Sequence, residues 1–185
     1  MTGLSRGTAA VLFGLSVVAP NASPRSSPAQ TSQTSATASL NDASAAGIFD
    51  ALNQWDIDMG AMVADRGSRK DIRAFAAQLV RDHHAIQKLD QGVVKKLKLK
   101  LVLPKGLAIQ QTHDAGTKKL KSLKGKEFDL AFLQHEVEFH KAAIDLIANT
   151  LLPAVQNADL KALMAKSSPA FQAHLVKAQS LLGED

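Results

Sequence analysis

The stretch Leu79-Val-Arg-Asp-His-His-Ala-Ile86 decides how this chain is read. A helix advances about 100° per residue, so Leu79, His83 and Ile86 fall on one line of its surface. Ile72, Phe75, Ala76 and Val80 extend that stripe upstream, and Val93, Val94 and Leu97 extend it downstream. The spacing predicts a helix over about 69–99 with an imidazole at the centre of its apolar face. Burying a polar ring costs free energy unless it finds a partner. His83 is therefore either hydrogen-bonded in a core or bound to something. His84 points the other way, toward solvent.

Working outward, the same periodicity recurs. Ile48, Leu52, Trp55, Met59, Met62 and Val63 predict a helix over about 44–66, stopped by Gly67 and followed by Ser68 as a cap. Leu103-Pro104-Lys105-Gly106 interrupts the pattern, and a weaker helix is expected over 107–122. Phe128, Phe132, Leu133, Phe139, Ala143, Ile147 and Leu151 predict a helix over about 125–151 that stops at Pro153. Leu160, Leu163, Met164, Phe171, Leu175, Ala178 and Leu182 predict another over about 157–182, with a kink or a break at Pro169. No segment alternates with period two. Short connections pair the long helices antiparallel, and the longer middle connection can cross over. The expected fold is all-α: a ferritin-like antiparallel four-helix bundle over residues 46–182, with a short extra helix in the crossover.

The front of the chain differs in composition. Residues 1–22 carry one arginine, no acid and an apolar run from Thr8 to Ala19, which reads as a signal peptide. Residues 23–45 are rich in Ser, Thr, Pro and Ala and are expected to form a disordered linker. The expected location is periplasmic or outer-membrane-associated, with an uncleaved N-terminal anchor as the alternative. The chain has no cysteine, so disulfides, thiolate metal sites and cysteine nucleophiles are excluded.

Other polar residues share the apolar faces. Asp56 lies between Leu52 and Met59, and Asp58 farther round toward solvent. Asp90 is on the same line as His83. Asp129, Glu136 and His140 share a face with Leu133 and Ala143, with His135 at its flank. His174 stands beside Phe171, Leu175 and Ala178. At about 1.5 Å rise per residue, Asp56 and His83 differ in height by less than a turn, and His140 and His174 by about one. Asp56, His83, Glu136, His140 and His174 are thus candidate ligands for one ion of iron, manganese, zinc or copper. No Glu-x-x-His occurs in the chain, which argues against a di-iron centre. The competing reading is a metal-free network, Asp56 with His83 and Glu136 with His174, that fixes helix register.

Eleven lysines fall between Lys88 and Lys126 against Asp90 and Asp114, a local charge of +9 in a chain of net +5. They predict a basic pole at the middle connection. It serves solubility or docks on anionic lipid, lipopolysaccharide or wall polymer. Nucleic acid is not expected, because no aromatic platform accompanies the lysines. No nucleophile arrangement, phosphate loop or cofactor fingerprint points to an enzyme. Two functions compete: a metal-binding bundle for metal handling or oxidative defence, and a non-catalytic envelope or stress protein with a structural polar core.

Four segments carry a resemblance. Trp55-Asp-Ile-Asp-Met-Gly-Ala-Met-Val-Ala64, Arg81-Asp-His-His84, the run from Gly125 to His140, and Ser168-Pro-Ala-Phe-Gln-Ala-His-Leu175 resemble, in order, the motifs of the family called domain of unknown function 4142. Its members are exported bacterial proteins, often labelled outer-membrane proteins, with an expected ferritin-like bundle and no established activity. The resemblance covers about residues 46–182. It implies inward roles for Asp56, Asp82, His83, Asp129, His140 and His174, and singles out neither Glu136, His135 nor Asp90. The family usually carries Glu where Asp56 and Asp58 stand, and the shorter side chain reaches less far.

Overall fold

The structure, a computed structural model, describes residues 40–183. The expected signal peptide and residues 23–39 of the expected linker lie outside the described residues. All the described elements are helical.

The first helix, α1 (Asp42–Arg66), starts earlier than composition suggested, because a reciprocal cap fixes it. Ser44 N donates to Asn41 Oδ1 and Asn41 N donates to Ser44 Oγ. Ser44 and Ala45 are buried, so the last residues of the Ser/Ala tract belong to the bundle. A tight turn at Gly67 leads to α2 (Lys70–Leu97). Ser68 does not cap α2 with its own side chain. Asp129, from across the bundle, accepts from Ser68 N at 2.9 Å, from Arg69 N at 2.8 Å and from the Ser68 hydroxyl. The inward role expected for Asp129 is therefore that of a cap.

An extended segment then crosses the end of α1, where Val102 N donates to Ala43 O. The short α3 (Ala108–Ser122) runs back along the bundle to the opposite end, where Arg66 donates to Leu123 O. Because α3 carries the chain from one end to the other, the lysines of residues 95–105 lie near the start of α1 and those of residues 118–126 near its end, so the lysines expected at one basic pole are divided between two ends.

Helix α4 (Gly125–Leu146) continues through a π-helical turn, Ile147–Leu151, into α5 (Leu152–Ala154). The expected uniform α-helix to Leu151 thus loosens in its last turn, next to a proline that has no N–H to give. The last helix, α6 (Ala158–Gly183), is continuous through Pro169, so of the expected kink or break the break does not occur. Asn157 Oδ1 caps α6 by accepting from Asp159 N and Leu160 N, and Asp42 of α1 accepts from Gln156 N at 2.7 Å.

The long helices α1, α2, α4 and α6 form an antiparallel four-helix bundle. The pairs α1–α2 and α4–α6 pack most extensively, α2 also packs on α6, and α3 covers α4. Gly60 permits the close approach of α1 to α2: a Cβ there would lie 2.9 Å from Ala76 O. The core is divided into two apolar clusters. One holds Phe49, Leu52, Ile86, Phe139, Ala143 and Phe171, and the other Met59, Leu79, Phe132, Leu133 and Ala178. Asp56 of α1, His83 of α2, Glu136 of α4 and His174 of α6 fall in sequence between a residue of one cluster and a residue of the other. Among the described residues no helix is long and apolar enough to cross a membrane.

Candidate metal centre

The boundary between the two apolar clusters is a polar layer. Asp56 of α1, His83 of α2, His140 of α4 and His174 of α6 meet there, each at most 1% exposed. Each offers one ligand-type atom, and these four atoms lie within 4.8 Å of one another. His83 Nε2 is 2.6 Å and His140 Nε2 3.2 Å from Asp56 Oδ2, and His83 Nε2 is 3.2 Å from His174 Nδ1. Phe171 closes one wall, with its ring edge-on to His83 at 5.0 Å.

The outer nitrogens set the tautomers. Asn53 Nδ2 donates to Phe49 O, which turns Asn53 Oδ1 toward His83 Nδ1 at 2.9 Å. His83 therefore donates from Nδ1. His140 Nδ1 donates to Glu136 O at 3.1 Å. His174 Nε2 donates to Asp82 Oδ2 at 2.9 Å. Each imidazole thus gives its outer N–H to an acceptor and turns its other nitrogen inward, the arrangement that second-neighbour partners impose on histidine ligands. Three ring nitrogens and a carboxylate oxygen converge on one buried point. The short contacts to Asp56 Oδ2 are not aligned as hydrogen bonds: Asp56 Oδ2 and His140 Nε2 both lack a hydrogen-bond partner. Four convergent acceptors repel unless a cation or a proton lies among them.

The electrostatics agree. Burial raises the Asp56 carboxyl, but His83 and His140 beside it outweigh that effect and hold it well below its usual value. Burial opposes charge on His140, yet Asp56 and Glu136 push it up to about 10. Without a metal the layer keeps a proton on His140 opposite the Asp56 carboxylate. Burial, then the Asp56 charge, pushes Glu136 up to about 8, so its carboxyl is protonated at neutral pH.

Four of the five residues expected from the sequence converge. Glu136 is wholly buried but stands behind the site, with its carboxyl 3.3 Å from His140 Nδ1, the nitrogen that faces outward. His84 and Asp58 are exposed, as their helical positions require. Asp82, implied by the family resemblance, supports His174. Asp90 is wholly buried two turns from His83, with neither oxygen partnered. Asn53, which fixes the His83 tautomer, escaped the sequence reading, although a lone amide between Phe49 and Ile57 was the available signal. His113 also escaped it. It lies on α3, stacks on Trp55 and touches His135.

Comparison with known proteins bears on the fold and the family. The solved structures similar to the chain include two DUF305 proteins. A fragment from Deinococcus radiodurans has a TM-score of 0.65 at 12% identity, covering 76% of this chain and 94% of that one. A protein from Streptomyces coelicolor has a TM-score of 0.61 at 19% identity, covering 76% and 90%. At such identities the likeness shows a shared helical-bundle fold. A search of curated proteins finds no match. The family profile of the domain of unknown function 4142 matches residues 26–181, which span the whole bundle and its polar layer, and the chain belongs to that family.

Proposed function

We propose that this protein holds one transition-metal ion at the centre of its bundle, through Asp56, His83, His140 and His174. The observation that carries the reading is the orientation of the three imidazoles. Each outer nitrogen is given to Asn53, Glu136 or Asp82 respectively, so every inner nitrogen faces the same point as Asp56 Oδ2. Three neutral imidazoles and a carboxylate suit zinc, copper, iron or manganese, and such ligands space themselves by roughly 3.4 Å around a tetrahedral ion. Three of the observed spacings, 2.6–3.2 Å, are slightly tighter, and all four atoms lie within 4.8 Å of one another, so small side-chain shifts would seat an ion.

A four-ligand, water-excluded site is closed, in the manner of sites that retain a metal rather than turn over a substrate. The role this supports is non-catalytic: holding or buffering a metal, and through it limiting oxidative damage. Residues 1–22 support an exported, envelope-located protein, and the use of inward side chains is the one ferritin-like bundles make of their cores. The alternative, a purely structural polar core, rests on the Asp56–His140 ion pair that the proton-loaded layer forms.

The test is calorimetric titration of the tag-free full chain with Zn, Cu, Mn and Fe(II), beside the His83→Ala/His140→Ala/His174→Ala variant. Stoichiometric binding by the wild type that is lost in a folded variant supports the proposal. A folded wild type that binds none of the four ions sinks it.

A further inference from the structure

A second pair of imidazoles lies outside the four-residue layer. His113 of α3 and His135 of α4 are each 6% exposed, with ring centroids 5.4 Å apart. The three imidazoles of the central layer stand 5.0, 5.4 and 5.8 Å apart, so the spacing is the same. His113 Nδ1 and His135 Nε2 are buried and have no hydrogen-bond partner, which is costly for a polar atom without a ligand. The rings are held from both sides: Trp55 stacks on His113 at 5.6 Å and Phe139 on His135 at 5.7 Å. The backbone makes room for them. A Cβ on Gly116 would lie 2.3 Å from His135 Nδ1, so α3 reaches this ring only because residue 116 has no side chain.

We propose that His113 and His135 form a second metal site, which takes a late transition-metal ion of the kind that neutral imidazoles prefer. Burial lowers both imidazoles, His135 to about 4, so both rings are unprotonated and able to donate a lone pair at neutral pH. With two nitrogen donors and no carboxylate on the ion, copper or zinc is favoured over magnesium, calcium or manganese. Asp56, Asp58 and Asp114 stand close enough to act on His113 and temper the added positive charge. Two protein ligands leave coordination positions open, so this site binds more weakly and exchanges faster than the closed one.

The inference does not depend on the central site, and one experiment separates them. Trp55 is the sole tryptophan and lies against His113, so it reports on this site. Cu(II), a quencher, is titrated into the tag-free full chain in a weakly coordinating buffer, with stoichiometry and Trp55 emission both read. The wild type is expected to hold two equivalents. His113→Gln/His135→Gln is expected to lose one equivalent together with its share of the quenching. Gly116→Ala, which removes no donor but displaces the His135 ring, should weaken that equivalent at least tenfold. A wild type that holds a single equivalent, lost in the double variant, supports this site while the central one fails. A copper stoichiometry and Trp55 quenching that are the same in the wild type and the double variant overturn the inference, as does unchanged affinity in Gly116→Ala.

Discussion

Asp90→Asn should make this protein more stable, and increasingly so as the pH rises. Asp90 is wholly buried on α2 and neither carboxyl oxygen has a partner. The register of the α1–α2 seam, in which Asn53 meets His83 and Gln54 meets Gln87, brings Asp50 opposite Asp90. Burial, and then the Asp50 charge, pushes Asp90 from its usual 3.8 up to about 7. A carboxyl whose pKa is raised on folding stabilises the fold below its unfolded value and loses that contribution as pH climbs through the folded one. At about 1.4 kcal/mol per tenfold change in proton affinity, the folded state forfeits roughly 4 kcal/mol by pH 8.5 and only about 1 kcal/mol at pH 4.5. Asparagine has nearly the same shape, cannot ionise, and offers an N–H to Asp50. Urea unfolding of wild type and variant across pH 4.5–8.5 should show the stability difference growing by about 3 kcal/mol in favour of the variant. Glu136 titrates over part of the same range in both proteins, so it cancels from the difference. Parallel stability profiles would refute the reasoning.

Asp82→Asn removes the carboxylate that fixes His174, and Asn53→Leu removes the acceptor that fixes His83. The first partner is 39% exposed and screened, so metal affinity should fall about tenfold; the second is wholly buried and should cost nearer a hundredfold, both read by calorimetry. Because Asp56 and Glu136 hold the His140 proton to about pH 10, metal binding at pH 7 should release about one proton, measurable as a dependence of binding heat on buffer ionisation heat. Asp129→Ala leaves Ser68 N and Arg69 N without their acceptor. It should lower stability by about 1–3 kcal/mol in chemical denaturation while leaving metal stoichiometry intact.

Helix existence was legible because apolar spacing and its punctuation agree: Gly67, Pro104 and Pro153 all fall at or near real ends. The central layer was legible because helical phase and rise are nearly invariant, so Asp56, His83, His140 and His174 could be matched in direction and height. What failed depended on side-chain direction or on distant partners. Glu136 shares the His140 face, yet phase alone cannot tell which side of that imidazole its carboxyl approaches. Asp129 sits on an inward face for the sake of a backbone turn on another helix, a contact with no local signature. His113 escaped because α3 carries a thin apolar stripe, and its importance comes from Gly116 letting α3 approach His135. The lysines were read as one pole because sequence proximity does not reveal that α3 separates those of residues 95–105 from those of residues 118–126 by the length of the bundle. Pro169 was read as a kink or a break; the break does not occur, and the buried Phe171, His174 and Ala178 beyond it belong to the same helix.

X-ray absorption at the zinc edge, on full-length protein loaded with one equivalent of zinc, tests the central claim most directly. The account predicts a four-coordinate ion with three imidazole nitrogens and one carboxylate oxygen at about 2.0–2.2 Å, and loss of the imidazole scattering in the His83→Ala/His140→Ala/His174→Ala variant. A six-coordinate, oxygen-only shell, or an imidazole signal that survives that substitution unchanged, would contradict it.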